Sequence, residues 1–511
     1  MRNHGVGSWP GRRSRAAGTL TALVHAGRAA TYRELDQRSQ RLAHALEVRG
    51  VARGDRVAYL GPNQPEFLEA MFATALLGAV FTPFNTRLAP AELAALARDS
   101  SPAVLVADAR RAADATALRD AGLVGGLLIA GGGDADDDLD RAVAAARPEP
   151  IDRPVEHADP FLLLYTSGST GRPKGVVLTH GNVTWNCLNT LVDTDLTGTD
   201  TALVSAPMFH TAALNMLCLP TLLKGGRLIL EEGFDPERTL DLVEHDGVTV
   251  MFGVPTMYDR IAHSPRWESA DLSGLRLLLC GGAPVPPALI ERYTGRGLAF
   301  VQGYGMTESA PGALLLPAAD CRRKAGSAGV AAFFTDVRIA GSGPGPAEVL
   351  VEGPNVTPGY WNRPEETAAA LREGWLHTGD AAEVDDEGYF RIVDRLKDMY
   401  VTGGENVYPS EVEAALSDHP AVRECAVVGV PDPAWGEAGA ALVAPVAGRR
   451  PGTDELYAFL AQRLARYKLP ATITFADELP RNGVGKIDKP ALRSRLAPAD
   501  KGRAPDGSTG A

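Results

Sequence analysis

Four short stretches of the chain gather residue types suited to phosphate, sugar and carboxylate groups. The first, YTSGSTGRPKG (Tyr165–Gly175), follows the apolar run FLLL. Small hydroxyl and glycine residues let backbone N–H groups converge on an anion, and Lys174 adds a positive charge. It is not a Walker A loop, because Pro173 stands where the second glycine would fall. A Gly/Ser-rich loop can also be a plain turn; the strand before it and the lysine within it favour phosphate. The second, GYGMTES (Gly303–Ser309), offers Tyr304 to stack on a base, Thr307 to bond a phosphate and Glu308 to hold Mg2+. That ion prefers one or two carboxylates plus substrate phosphates. Taken alone, this stretch reads equally as a capped turn. The third, HTGD (His377–Asp380) followed by DRLK (Asp394–Lys397), sets a carboxylate beside a glycine turn, suited to ribose hydroxyls or to a surface turn. In the fourth, PRNGVGKID (Pro480–Asp488), Lys486 rides a glycine-containing loop whose mobility would let a catalytic lysine reach into a site. None forms GxGxxG. No GxSxG elbow is present, so a Ser/His/Asp hydrolase lacks its nucleophile.

The elements that must hold these stretches follow from patterning. Thr31-Tyr-Arg-Glu34 is a capping box that opens a helix with Leu35, Leu42 and Leu46 on one face, closed by Gly50. Strand-like RVAYL (Arg56–Leu60), AVLVA (Ala103–Ala107) and GLLIA (Gly126–Ala130) alternate with helical segments, which predicts parallel sheets covered by helices. Gly131–Asp140 reads as a mobile Gly/Asp loop, and Arg147–Pro160 as a proline-rich connector. A second alternation runs from Phe161 to about Ala340. From Ala347 the strands shorten and the turns become glycine-rich. Alternation returns after Tyr408 in a compact segment ending near Leu496, and a polar tail follows. There is no internal repeat.

Composition bounds the function. In 511 residues the apolar share is 45% and the charged share 22%, and Lys+Arg 51 against Asp+Glu 63 gives −12. Such a field does not draw the chain to nucleic acid or anionic membrane. The apolar run Ala70–Phe81 is too short for a bilayer, which needs about 20 residues. Five widely spaced cysteines with no CxxC argue against a disulfide framework and for a reducing, cytoplasmic setting. Arg12, Arg13 and Arg15 lead no apolar segment; a frayed tail fits them better than a transit peptide. Only eight of the 51 basic residues are lysine.

Together and in this order, YTSGSTGRPKG, GYGMTES, HTGD, DRLKDMYVTGGENVYPSE and NGVGKIDK resemble the adenylate-forming superfamily of acyl- and aryl-CoA synthetases, luciferase-like enzymes and peptide-synthetase adenylation domains. The resemblance covers roughly residues 30 to 490. It implies an α/β fold: a large N-terminal domain (1–396) of parallel α/β sheets with a small β-barrel-like subdomain, and a smaller mobile α+β C-terminal domain (397–496) hinged at Lys397. Residues 497–511 form a disordered tail. The implied reaction uses ATP, Mg2+ and coenzyme A: acid plus ATP gives acyl-AMP and pyrophosphate, then the acyl group passes to the CoA thiol. The same resemblance assigns Lys486 to adenylation and Thr307 to the α-phosphate. Thr166, Ser167, Gly168, Thr170 and Lys174 cradle pyrophosphate, with Glu308 and Thr166 at the metal. Gly281, Gly282, Ala283, Tyr304 and Ile392 line the nucleotide slot, and Asp380 and Arg395 take the ribose. Gly403, Gly404 and Glu405 enter for the second step, and His210 gates thiol or substrate access, with a buried structural histidine as the alternative.

The acyl pocket falls on Phe209, His210, Thr211, Ala212 and onward to Asn215, on Phe252 and Gly253, and on Gly303, Gly305 and Met306. FHTAALN supplies no charge, so a neutral acid is expected, aliphatic or aryl, with small residues leaving room for a medium or long chain. An amide-forming ligase and loading of a separate carrier protein share these adenylation residues and remain alternatives. A binding-only relative would be expected to lose at least one of Glu308, Asp380, Arg395 and Lys486. The chain is expected to act as a monomer or homodimer. Five of the eight lysines (Lys174, Lys397, Lys468, Lys486, Lys489) fall in these motifs or in YKLP. A compact ammonium can enter and leave a phosphate site where a guanidinium fork does not.

Overall fold

A computed structural model describes residues 2–132, 136–167, 173–341, 345–402, 405–432, 435–464, 466–482 and 485–497. The chain divides into two compact units. One comprises Met1–Arg338, Leu350–Thr378 and Val384–Arg391; the other comprises Ile339–Val349, Gly379–Glu383 and Ile392–Ala511.

The first unit contains two large sheets. In the seven-stranded sheet, Arg56–Leu60, Val80–Pro83, Val104–Asp108, Leu127–Ala130 and Pro160–Ser167 run parallel, as the alternation predicted. Pro173–Thr179 folds back antiparallel on Pro160–Ser167, and Gly359–Tyr360 pairs with it in turn. The nine-stranded sheet is parallel through Leu23, Leu228, Ala202, Val250, Leu277 and Val301, with antiparallel strands at both edges. Strands buried on both faces explain the unbroken apolar runs LLLC and FLLL. The capping box forms as read: Glu34 N–H donates to Thr31 Oγ1 (3.2 Å) and Thr31 N–H to Glu34 Oε2 (2.7 Å), starting the helix Tyr32–Val48.

The N-terminal residues depart from the frayed-tail expectation. Val6–Ser8 and Trp9–Ala17 are helical, and Val6 and Trp9 join the main core. His4 N–H donates to Val155 O (2.9 Å), and Val6 N–H donates to His180 Nδ1 (3.1 Å). Burial holds the His180 pKa down to about 3, so the ring is neutral and free to accept. Arg13 donates through Nε to Leu223 O (2.8 Å), at the end of the helix Leu219–Lys224. Arg12 donates through Nε to Ser8 Oγ (3.0 Å) and through Nη2 to Asn3 O (3.2 Å).

One helix organises the site-bearing loops. His180–Thr194 places Asn182, Asn186 and Asn189 on one buried face at i, i+4 and i+7. Asn182 Nδ2 donates to Pro354 O (2.9 Å) and Val356 O (2.7 Å). Asn186 donates to Asn215 O (2.9 Å) and accepts from Gly312 N–H (3.0 Å). Asn189 accepts from Phe334 N–H (2.7 Å) and donates to Thr335 Oγ1 (2.9 Å). These amides satisfy backbone in turns and at the irregular ends of elements, such as Gly312 at the start of the strand Gly312–Leu316 and Asn215 in the turn Leu214–Cys218.

The β-rich segment after Asp336 forms a five-stranded sheet of Asp336–Ile339, Ala347–Glu352, Trp375–Val384 and Leu371–Arg372, with Phe390–Arg395 also pairing Trp375–Val384. In the second unit, the α/β alternation expected after Tyr408 holds only in part. Val422–Asp432 and Gly436–Pro445 are consecutive antiparallel strands, and only Thr472–Phe475 joins in parallel. Asp432 pairs with Gly436, so the connection between these strands is too short for the helix that a parallel crossover needs.

Asn186→Ala leaves a buried carbonyl and a buried N–H unsatisfied, which costs about 1–3 kcal/mol each. The expected outcome is a lower unfolding temperature by calorimetry; an unchanged one would show that the asparagine face is dispensable.

Candidate active site

The phosphate stretch is the tip of a hairpin. Register pairs Tyr165 with Gly175, Thr166 with Lys174, and Ser167 with Pro173. Gly168 and Thr170 lie outside the described residues. Tyr165 donates to Asp99 Oδ2 (2.7 Å), and Arg363 bonds Asp99 Oδ1 (2.8 Å), which braces the hairpin base. Lys174 Nζ lies 5.2 Å from the centre of the Tyr360 ring. The hydroxyl of Tyr360 donates to Glu308 Oε1 (2.8 Å). Burial, reinforced by the negative charge of Glu308, pushes this phenol above the usual tyrosine range, so it remains a donor.

Glu308 sits in the turn Thr307–Ser309 that follows the strand Phe300–Gly305. The turn is held by Met306 N–H to Pro311 O (3.0 Å) and Thr357 N–H to Glu308 O (2.8 Å). Asn355 Nδ2 donates to Ser309 O and Gly312 O (both 2.8 Å). Glu308 is buried, Thr307 and Tyr304 half-buried. A Cβ on Gly305 would lie 1.7 Å from Pro311 O, and one on Gly281 would lie 2.8 Å from Gly303 O. Only main chain fits between these strands. Gly282 adopts φ +83°, and Ala283 is exposed beside it. The open edge of this flat slot is suited to a planar base.

The acyl-wall residues lie on a short helix, Thr211–Ala213, that widens into one π-turn, Leu214–Cys218. Pro220 explains the widening: it has no N–H for the carbonyl four residues back and its ring crowds that carbonyl. His210 is exposed, with its ring 4.7 Å from Phe209, which removes the buried structural reading. Phe252 and Gly253 are buried; Gly303 and Met306 are half-buried. Asn215 is fully buried and donates to Thr211 Oγ1 (2.9 Å), but its Oδ1 has no protein partner.

In the second unit Asp380 and Arg395 meet, with Nε 3.4 Å from Oδ1. Gly379 (φ +73°) accepts from Leu396 N–H (2.8 Å) and donates to Glu348 Oε1 (3.1 Å), which sets the carboxylate beside it. Ile392 shares the strand of Arg395, and Lys397 is exposed just after it. Lys486 comes within electrostatic range of both Arg395 and Asp380. Crowding of its charged end lowers its pKa first, Arg395 lowers it further, and Asp380 opposes them. This holds although the residue as a whole is exposed. The loop that was expected to be mobile is closed at its base: Asn482 N–H donates to Lys486 O (2.8 Å), Lys486 N–H to Asn482 Oδ1 (3.1 Å), and Asp488 N–H to Pro480 O (2.9 Å). Lys489 pairs with the half-buried Glu413 (3.3 Å), tethering the far end. Gly403, Gly404 and the Glu405 side chain lie outside the described residues.

Tyr360, Asn355, Asn482 and Glu413 escaped the sequence reading. The signals present were GYW after a turn, the Asn spacing in the helix His180–Thr194, and the asparagine opening NGVGK. Among the described residues no cluster of three or more His, Cys, Asp or Glu side chains could cage a metal. A single buried carboxylate at Glu308, close to the phosphate hairpin through Tyr360, fits an ion held mainly by nucleotide phosphates. Glu308, with Thr166, is the set that would hold Mg2+, which neutralises phosphate charge when bound.

Residues 12–361 match the family model "AMP-binding enzyme" and residues 411–486 match "AMP-binding enzyme C-terminal domain". The chain is 56% identical, over 97% of its length and 100% of the relative's, to a feruloyl-CoA synthase from Amycolatopsis. It is 40% identical, over 91% and 93%, to the long-chain-fatty-acid–CoA ligase FadD13 of Mycobacterium tuberculosis. The structure of the O-succinylbenzoate coenzyme A synthetase MenE from Bacillus subtilis in complex with ATP and magnesium ion superposes with a TM-score of 0.86 at 30% identity, covering 96% of this chain and 99% of that one. By these matches the chain belongs to the AMP-binding enzyme family, in its acyl-CoA synthetase branch, and is an AMP-forming acid–CoA ligase using ATP, Mg2+ and CoA.

Proposed function

We propose that the acid is a neutral aryl acid of the hydroxylated phenylpropenoate class. The observation that carries this is the 56% identity, end to end, with a feruloyl-CoA synthase. The wall Phe209–Asn215 supports it: it brings no charge, and Asn215 Oδ1 is a buried acceptor with no protein donor. A ring hydroxyl is the kind of group that such an acceptor would reward. A medium- or long-chain acid is the second reading. It is favoured by the open space over Gly303, where an added Cβ would meet nothing nearer than 3.9 Å, and by the 40% identity with FadD13.

In adenylation the acid's carboxylate oxygen bonds the α-phosphorus of ATP and pyrophosphate leaves. The Lys486 ammonium bridges carboxylate and phosphate, Thr307 donates to the α-phosphate, the Tyr165–Gly175 hairpin receives pyrophosphate, and Asp380 and Arg395 fix the ribose. In the second step the CoA sulfur bonds the acyl carbon and AMP leaves. This step uses a different disposition of the C-terminal segment, turned at Lys397, with residues 403–405 replacing Lys486 and His210 gating the thiol. Five free, buried cysteines accord with a reducing, cytoplasmic setting.

Three measurements check this. With ATP, Mg2+ and CoA, a hydroxycinnamic acid should exceed octanoic and palmitic acids in kcat/KM by about tenfold or more; a best rate with palmitate would select the long-chain reading. Lys486→Ala should abolish acid-dependent AMP release yet still convert supplied acyl-adenylate to thioester, and Lys486→Arg should fail nearly as badly in adenylation. Equal loss of both steps would sink the two-arrangement mechanism. Because the Lys486 pKa is lowered, its charge disappears as pH rises through a value below the ordinary lysine range. The adenylation rate should fall there, and the thioester step from supplied acyl-adenylate should lack that limb.

A further inference from the structure

Two charges assigned to the nucleotide phosphates, Lys174 and Glu308, lie 134 positions apart in the chain (308 − 174), and one side chain touches both. Tyr360 donates its hydroxyl to Glu308 Oε1 at 2.8 Å, and its ring faces Lys174 Nζ at 5.2 Å. Both contacts are attractive: the phenol O–H donates to a carboxylate oxygen, and the negative face of the ring attracts an ammonium.

The ring is itself immobilised. Gly359–Tyr360 pairs with Val176–Val177 of the phosphate hairpin, and Trp361 N–H donates to Gly175 O (2.8 Å). Tyr360 N–H donates to Thr367 Oγ1 (2.9 Å), whose own proton goes to Arg363 O (2.7 Å). Gly359 adopts φ +144°, and a Cβ there would lie 2.4 Å from Thr367 Cγ2, so the approach to Tyr360 admits only glycine.

We propose that Tyr360 is a positioning residue for the nucleotide: its hydroxyl orients the Glu308 carboxylate toward the Mg2+ of MgATP, and its ring seats the Lys174 ammonium for the phosphates. The inference rests on the phosphate and metal roles given to Lys174 and Glu308 above. The two halves of the side chain separate by substitution. Tyr360→Phe keeps the ring and removes the donor; Tyr360→Leu removes both.

The experiment is calorimetric binding of ATP to the full chain, with Mg2+ and with EDTA, for wild type, Tyr360→Phe, Tyr360→Leu and Glu308→Gln, alongside each unfolding temperature. Mg2+ should tighten ATP binding to wild type. Tyr360→Phe should lose roughly tenfold of that gain, the equivalent of one hydrogen bond to a charged group, with affinity in EDTA unchanged. Tyr360→Leu should also weaken binding in EDTA. The proposal is overturned if Tyr360→Phe keeps the full Mg2+ gain while Glu308→Gln loses it, or if both tyrosine variants weaken the two conditions equally. If Glu308→Gln itself keeps the gain, the metal role of Glu308 fails instead, and the proposal falls with it.

Discussion

The buried amide face of the helix His180–Thr194 is the constraint on which the first unit's site depends. Asn182, Asn186 and Asn189 bond the backbone of segments drawn from residues 215, 312, 334–335 and 354–356. The groups it reaches lie in turns or at the irregular ends of elements, and a buried N–H or carbonyl without a partner costs about 1–3 kcal/mol. The helix therefore does for loops what a neighbouring strand does for a strand. It begins directly after the phosphate hairpin, so the same element carries the hairpin's exit and fixes the turns around Glu308.

Charge is handled differently in the two units. On the strand Pro173–Thr179, Lys174 faces the ring of Tyr360. In the second unit, Lys486 stands in a setting that disfavours its charge, near Arg395. A lysine at ease in free solution would gain little from meeting an anion; one already crowded by protein and by a cation gains more when carboxylate and phosphate arrive.

The family was legible in the sequence because its motifs gather particular residue types at short spacing, as in Thr166–Lys174, Thr307–Glu308 and His377–Asp380. Parallel sheets were legible from apolar runs such as LLLC and FLLL, and the capping box at Thr31 from four residues. Tyr360 was not, because its partners are 52 and 186 positions away (360 − 308, 360 − 174) and nothing local distinguishes a bracing tyrosine from a packed one. The N-terminal helix was missed for a related reason. Val6 and Trp9 carry too short an apolar signal to reveal a core contact, and the acceptor that fixes them is His180. The antiparallel strands Val422–Asp432 and Gly436–Pro445 were hidden because alternation of apolar runs does not report strand direction.

Beside Gly281 and Gly305 stands backbone, with a carbonyl where a Gly305 side chain would begin. Point substitution therefore has little to vary at these two glycines, since a side chain there displaces main chain. The segment Phe209–Asn215 is built differently, leading into a π-turn that already departs from helical regularity. On its proposed assignment to the acyl wall, a change of acid can be accommodated there by side chains while the close backbone contacts at Gly281 and Gly305 stay as they are.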